Sequence, residues 1–222
     1  MANIELVIFD CDGVLIDSEI LSMLLWQERL ADIGVSIDRR FFVEHFLGRS
    51  LPHVCDVVAT EFGVVLSEAF LRDFHVQLEQ LFSRKLVATT NIKAVLQGLS
   101  VPICVATSST PERVAQALAV TELDGFFNNT VFTASLVEHG KPAPDLFLYA
   151  ANKMAVAPER CLVIEDSEAG LMAATSAGMQ LCRYVGASHF DGVVQSGYTT
   201  LQHWDDFFVQ YPSLVSSKEP ER

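Results

Sequence analysis

A chain of 222 residues, half of them apolar and about a fifth charged, has the composition of a core-forming globular protein. It has room for one full domain carrying a smaller insertion. Its formal charge of −13 repels polyanions, which excludes general nucleic-acid binding; an anionic ligand would need local positive charge or a metal ion to offset that field.

The chain opens with Met1–Glu5, which carries no basic residue and so does not resemble a signal peptide. No unbroken apolar run is long enough to span a bilayer. The expectation is a cytoplasmic protein without a membrane partner, a monomer or weak dimer. The five cysteines, Cys11, Cys55, Cys104, Cys161 and Cys182, are odd in number and mostly sit in apolar runs. That pattern reads as reduced core thiols, not as a disulfide framework or zinc site.

Glu5–Asp10 is short, β-rich and bounded by turn residues, the pattern of a buried strand. The stretch from Asp17 to Lys85 holds no convincing strand. Its segments SEILSMLLWQERLADIG, LPHVCDVVATEFG and SEAFLRDFHVQLEQLF are helical in pattern, with Gly34 and Gly63 as stops. This predicts a helical insertion, residues 17–85, between core segments 1–16 and 86–222. From about Thr90 helices and strands alternate. VPICVAT (Val101–Thr107), TVFTA near Val131, CLVIED (Cys161–Asp166) and QLCRYV near Leu181 are the strands. Thr110–Pro111 and Ser167 supply helix starts, and Gly178 a helix stop. Continuous apolar strands separated by helices predict a doubly wound parallel α/β sheet. The tail SSKEPER is polar and expected to fray.

Ligands of such sheets bind at the carboxyl ends of the strands. The first strand ends in Asp10, with Asp12 just beyond; the second ends in Thr107, followed by Ser108 and Ser109. Another ends in Glu165–Asp166, and GKPAPD after Val131 presents Lys141. Alone, each has a structural explanation: a turn carboxylate, a turn hydroxyl, a solvated lysine. Together they place four carboxylates, a hydroxyl and an ammonium at one edge, where repulsion calls for a cation. Mg²⁺ suits hard oxygen ligands and keeps positions open for water and phosphate. Cys11, between two anions, would be held as a thiol and reads as core.

DCDGVLIDSE, VATS, Lys141 and IEDSEAG resemble, in order, the four motifs of the haloacid dehalogenase-like superfamily. The insertion resembles the mobile cap of its phosphatase and β-phosphoglucomutase branch. The resemblance implies Asp10 as nucleophile and metal ligand. It implies Asp12 as general acid and base, its main-chain carbonyl on Mg²⁺. Thr107 and the N–H of Ser108 would hold a phosphoryl oxygen, Lys141 would neutralise phosphate charge, and Asp166 with Glu165 would complete the metal site. Asp12 and the Glu165–Asp166 pair favour phosphoryl transfer over carbon–halogen cleavage. Mutases of the branch carry a histidine near the position of Ser22; SEILSMLLW has none, which favours hydrolysis. Arg49 in FLGRS falls where relatives place a substrate-contacting loop and could bind a second anionic group. The resemblance extends to bacterial sugar-phosphate phosphatases, 6-phosphogluconate phosphatases among them, so the expected partner is a small phosphorylated metabolite. Phospho-receiver domains use a similar kit, but they are shorter and lack the insertion and the second aspartate.

Overall fold

The computed structural model of the chain describes residues 3–190 and 197–216. Six parallel strands form one sheet in the order β3-β2-β1-β4-β5-β6, with β1 Leu6–Phe9, β2 Ile103–Thr107, β3 Val131–Thr133, β4 Cys161–Glu165, β5 Gln180–Tyr184 and β6 Thr200–Leu201. This is the doubly wound order expected of alternating strands and helices, with the turnover point beside β1. β1 pairs with β2 through Val7↔Ile103 and with β4 through Val7↔Leu162. The sequence reading missed β6, which is two residues long and too short to leave a periodicity signal.

The register of β1 sends alternate side chains to opposite faces. Leu6 and Ile8 enter one cluster with Leu146, Phe147, Ala150, Ala173 and Ala174, from helices α7 (Asp145–Lys153) and α8 (Glu168–Ser176). Val7 and Phe9 enter the other with Val95, Leu96, Val114 and Leu118, from α5 (Ile92–Gly98) and α6 (Pro111–Val120). All four side chains are fully buried, which is why this strand reads as an unbroken apolar run. The starts of α6 and α8 are where the sequence places them. Thr110 accepts from the Arg113 N–H, with Pro111 following, and Ser167 accepts from the Gly170 N–H.

Between β1 and α5 lie four helices: α1 Glu19–Ala31, α2 Arg39–His45, α3 Leu51–Phe62 and α4 Glu68–Lys85. The short α2, capped by Asp38, was not legible because seven residues carry too little periodicity. α3 stops at Gly63, whose φ of 69° is a left-handed conformation that glycine adopts without Cβ strain. The helices pack around Trp26, which stacks on Phe74 at 3.9 Å between centroids and meets Phe46 edge-on at 5.5 Å. Of the five cysteines, all free, four are buried and Cys55 is half-buried. Among the described residues, no helix is long and apolar enough to cross a membrane. The SSKEPER tail lies outside the described residues except for Ser216.

The two chain crossings between sheet and insertion run side by side. Ile16 bridges Ala88 in antiparallel fashion, and the Asp17 N–H donates to the Val87 carbonyl at 3.0 Å. Buried Thr89 ties them together: its hydroxyl donates to the Val14 carbonyl at 2.6 Å and accepts from the Trp204 indole N–H at 2.9 Å. Thr89→Val would leave both partners unpaired in the interior. It should cost about 1–3 kcal/mol per orphaned group, read as a lower urea midpoint at unchanged slope.

Candidate active site

Every strand end flanking the turnover point contributes a side chain to one cleft of about 650 Å³. β1 carries Asp10 at its exit, anchored by its N–H to the Ile164 carbonyl at 3.0 Å. β4 ends in Glu165, followed by Asp166, and β2 ends in Thr107. The loop after β3 supplies Lys141. All four acid and hydroxyl side chains at these exits are buried, so their charges interact through protein and not through water.

Lys141 is the centre of this arrangement. Its ammonium donates to Asp10 Oδ1 at 2.6 Å and to Glu165 Oε1 at 2.8 Å. The other Glu165 oxygen accepts from the Ser167 N–H at 2.7 Å and its hydroxyl at 3.0 Å. Glu165 therefore acts on Lys141 and the start of α8 with both of its oxygens. Burial lowers the Lys141 ammonium's proton affinity, but the two carboxylates outweigh it and hold the lysine above its ordinary value. Asp10 is pushed up to about 7, first by burial and then by the Glu165 and Asp12 charges, against the pull of Lys141. Burial, with Glu165 and Asp10, raises Asp166 well above the ordinary carboxylate range.

Oxygens of Asp10, Glu165 and Asp166 lie within 4.8 Å of one another. Three hard-oxygen donors at that spacing, two of them driven toward protonation by burial and mutual repulsion, fit a divalent cation, whose charge would return them to the ionised form. Gly13 makes room for this cluster. Its φ is 78°, and a Cβ there would stand 2.1 Å from Asp166 Oδ2, so only glycine admits the turn and the acid together.

Asp12 faces the other way. Its Oδ1 accepts from Ser18 at 2.6 Å and from Arg113 at 2.9 Å, and its Oδ2 from Ser109 at 2.7 Å. Burial would raise its carboxyl, but the Arg113 guanidinium and these hydroxyls prevail and hold it below the ordinary value. Its side chain thus stands apart from the three-carboxylate cluster. The sequence reading did not single out Arg113. It sits on the first turn of α6, one turn past the Thr110 cap, and only the fold brings it 101 positions back to Asp12. The same guanidinium lies over the Phe82 ring of α4 at 4.9 Å. Glu19, also unforeseen, is half-buried beside Asp12 at the start of α1, and desolvation lifts it to about 8.

Thr107 accepts through its hydroxyl from the Ser109 N–H at 3.1 Å, while Ser108 is exposed on the cleft wall. Arg49 is exposed and lines the cleft from the helical side, as do Phe82 and Leu78 of α4. Burial, reinforced by Asp12 and Asp10, keeps the Cys11 thiol protonated, as its place between two acids suggests. His139 is exposed and pairs with Asp145 at 3.3 Å. His189, inconspicuous in the sequence, is wholly buried with Nε2 3.6 Å from Asp166 Oδ2. Burial, with the Arg39 charge, lowers its pKa to about 3.

A family profile described as haloacid dehalogenase-like hydrolase matches residues 4–178. The chain is 28% identical to 6-phosphogluconate phosphatase of Escherichia coli, over 98% of this chain and 97% of that one. It is 33% identical to a probable pseudouridine-5'-phosphatase of Drosophila melanogaster, with 78% of each covered. Among solved structures, a haloacid dehalogenase-like protein of Agrobacterium tumefaciens superposes with a TM-score of 0.87 at 29% identity, covering 95% of this chain and 99% of that one. A HAD family hydrolase of Deinococcus radiodurans, solved with bound phosphate and sodium, gives 0.84 at 27% identity, covering 96% and 97%.

The raised carboxyls fix a sign for the effect of pH. With Asp10 at about 7 and Glu19 at about 8, the folded chain binds more protons than the unfolded one from about pH 4 to pH 8, so stability falls as pH rises through that window. Asp12, held low, contributes its full stabilisation across the window and loses it only as pH falls below, and Lys141, held high, also contributes unchanged across it. In chelator, the thermal midpoint should be lower at pH 8 than at pH 5.5, and Mg²⁺ should close most of the gap. Arg113→Met should let burial dominate at Asp12 and raise its pKa, followed by ¹³C NMR titration of the carboxyl.

Proposed function

The chain belongs to the haloacid dehalogenase-like hydrolase family, and from that premise we propose that it hydrolyses the phosphate monoester of a small metabolite, a sugar phosphate or phosphorylated sugar acid, through an aspartyl-phosphate on Asp10. The observation that carries this reading is the convergence of Asp10, Asp12, Thr107, Lys141 and Asp166 on one cleft under the helical insertion. The phosphatase names of the relatives and the phosphate bound to the Deinococcus structure point the same way.

Asp10, Glu165 and Asp166, with the main-chain carbonyl of Asp12, are the proposed holders of Mg²⁺. When bound, the ion neutralises charge on the transferring phosphoryl oxygens and keeps Asp10 ionised. Asp10 forms a bond to phosphorus as the bond to the ester oxygen breaks. Asp12 gives that oxygen its proton, then takes one from the water that attacks the aspartyl-phosphate and releases inorganic phosphate. Thr107 and the Ser108 N–H hold phosphoryl oxygens. Lys141 balances the added negative charge and keeps Asp10 aimed, while Glu165 aims Lys141. For Asp12 to act as an acid, its ion pair with Arg113 must loosen. Arg113 reaches both Asp12 and the Phe82 face of α4, so seating of substrate beneath the helices is the event suited to loosen it. Arg49 on the cleft rim is the proposed contact for a second anionic group of the substrate.

The Bacillus subtilis β-phosphoglucomutase, 27% identical over 78% of this chain, supports the alternative of a β-phosphoglucomutase-like phosphotransferase. Ser22, where such mutases carry a histidine, favours water as acceptor. A panel of phosphorylated metabolites assayed for released phosphate decides among these readings. Repeated turnover that needs Mg²⁺ and stops with EDTA is expected. Isomerised sugar phosphate without released phosphate would establish the mutase, and a lasting phosphoprotein a receiver. Asp10→Asn should lower the rate by about 10³-fold or more with the fold intact, and Asp12→Ala by about 10²–10⁴-fold.

A further inference from the structure

His189 follows β5 in the loop that also carries Ser188, and its ring is wholly excluded from solvent. Among the described residues, neither ring nitrogen has a hydrogen-bond partner. A buried ring with two unpaired nitrogens is costly where an apolar side chain would fit, so its surroundings bear on what it does. Nε2 points toward Asp166 Oδ2 at 3.6 Å. Its Cε1 lies under the turn at Gly13, 3.3 Å from where a Cβ would be, and Phe190 covers the ring at 4.1 Å between centroids.

The loop is fastened on its other side. The Ser188 N–H donates to Asp17 Oδ1 at 3.2 Å, its hydroxyl donates to Asp17 Oδ2, and its carbonyl accepts from Arg39 at 3.0 Å. Asp17 stands at the crossing into the helical insertion, and Arg39 opens α2 within it. Two adjacent residues therefore join the insertion to the back of Asp166.

We propose that His189 is a positioning residue that orients the Asp166 carboxylate for a divalent cation through its Nε2–H, in the manner of an outer-shell donor behind a metal ligand. This rests on the reading of Asp10 and Asp166 as metal ligands. A neutral imidazole has one N–H to give, and the geometry assigns it to Nε2, leaving Nδ1 bare. Because Ser188 is held by Asp17 and Arg39, the ring's place behind Asp166 is tied to the seat of the insertion.

Two measurements on the whole 222-residue chain test this without substrate. Binding of Mn²⁺ alone, followed by loss of the free-ion EPR signal, should weaken about 10–100-fold in His189→Met. His189→Gln, whose amide can place a donor near Nε2, should recover most of that loss. The metal-free thermal midpoint of His189→Met should be no lower than that of the parent. Unchanged Mn²⁺ affinity in His189→Met would overturn the proposal, as would equal loss in Met and Gln accompanied by a fallen metal-free midpoint, the mark of a purely structural residue. In the unmutated protein, histidine-selective ¹H–¹⁵N NMR should show the Nε2–H tautomer at His189 and a shift of that resonance as Mg²⁺ saturates. An Nδ1–H tautomer, or no response to Mg²⁺, would sink it whatever the variants do. Should the parent itself fail to bind Mn²⁺, it is the metal-site reading that falls, and this inference with it.

Discussion

The ammonium of Lys141 between Asp10 and Glu165 is the interaction on which the edge of the sheet depends. Three carboxylates crowd the ends of β1 and β4 with almost no water to screen them, and a single buried lysine donates to two of them at 2.6 and 2.8 Å. Removing either acid or the base would strand a charge in the interior, a far larger penalty than losing a surface pair. Lys141 alone does not satisfy the cluster, since Asp10 and Asp166 remain displaced toward their protonated forms. Fully ionised, three carboxylates and one ammonium leave two negative charges, which a divalent cation would offset.

Asp10 and Asp12 are two residues apart yet live in opposite environments. The first faces the lysine and the acid cluster and is raised; the second faces a guanidinium and two hydroxyls and is lowered. The proposed roles need both shifts reversed: a bound cation would return Asp10 to its ionised form, and loosening of the Arg113 pair would let Asp12 carry a proton. The turn that separates them is possible because Gly13 leaves space where a side chain would strike Asp166. The apolar run into Asp10 is equally explicable: Leu6 to Phe9 is packed from both faces of the sheet, so the residue after it inherits a rigid base.

Much of this was legible in the sequence, and the boundary is instructive. The strand ends could be read because buried parallel strands leave continuous apolar runs and ligands gather at their carboxyl ends. Asp10, Thr107, Lys141, Glu165 and Asp166 followed from position alone, and their coming together is what the fold delivers. Thr110 and Ser167 announced their helices because capping is a local interaction. Arg113, Glu19 and His189 could not be found. Each lies in an ordinary helical or loop context, and its meaning comes from a partner far along the chain: 101 positions separate Arg113 from Asp12. Helix α2 and strand β6 were too short for any periodicity to emerge.

The paired crossings at Ile16–Asp17 and Val87–Thr89 have an architectural consequence. Because both ends of the helical segment leave and re-enter the sheet at neighbouring points, the whole segment is topologically one long loop grown from the end of β1. Its roughly 70 residues could lengthen, shrink or be exchanged for another compact unit without altering the strand order beneath. Under the proposed function, selectivity toward one compound or another could then change within these helices without a change at the strand ends.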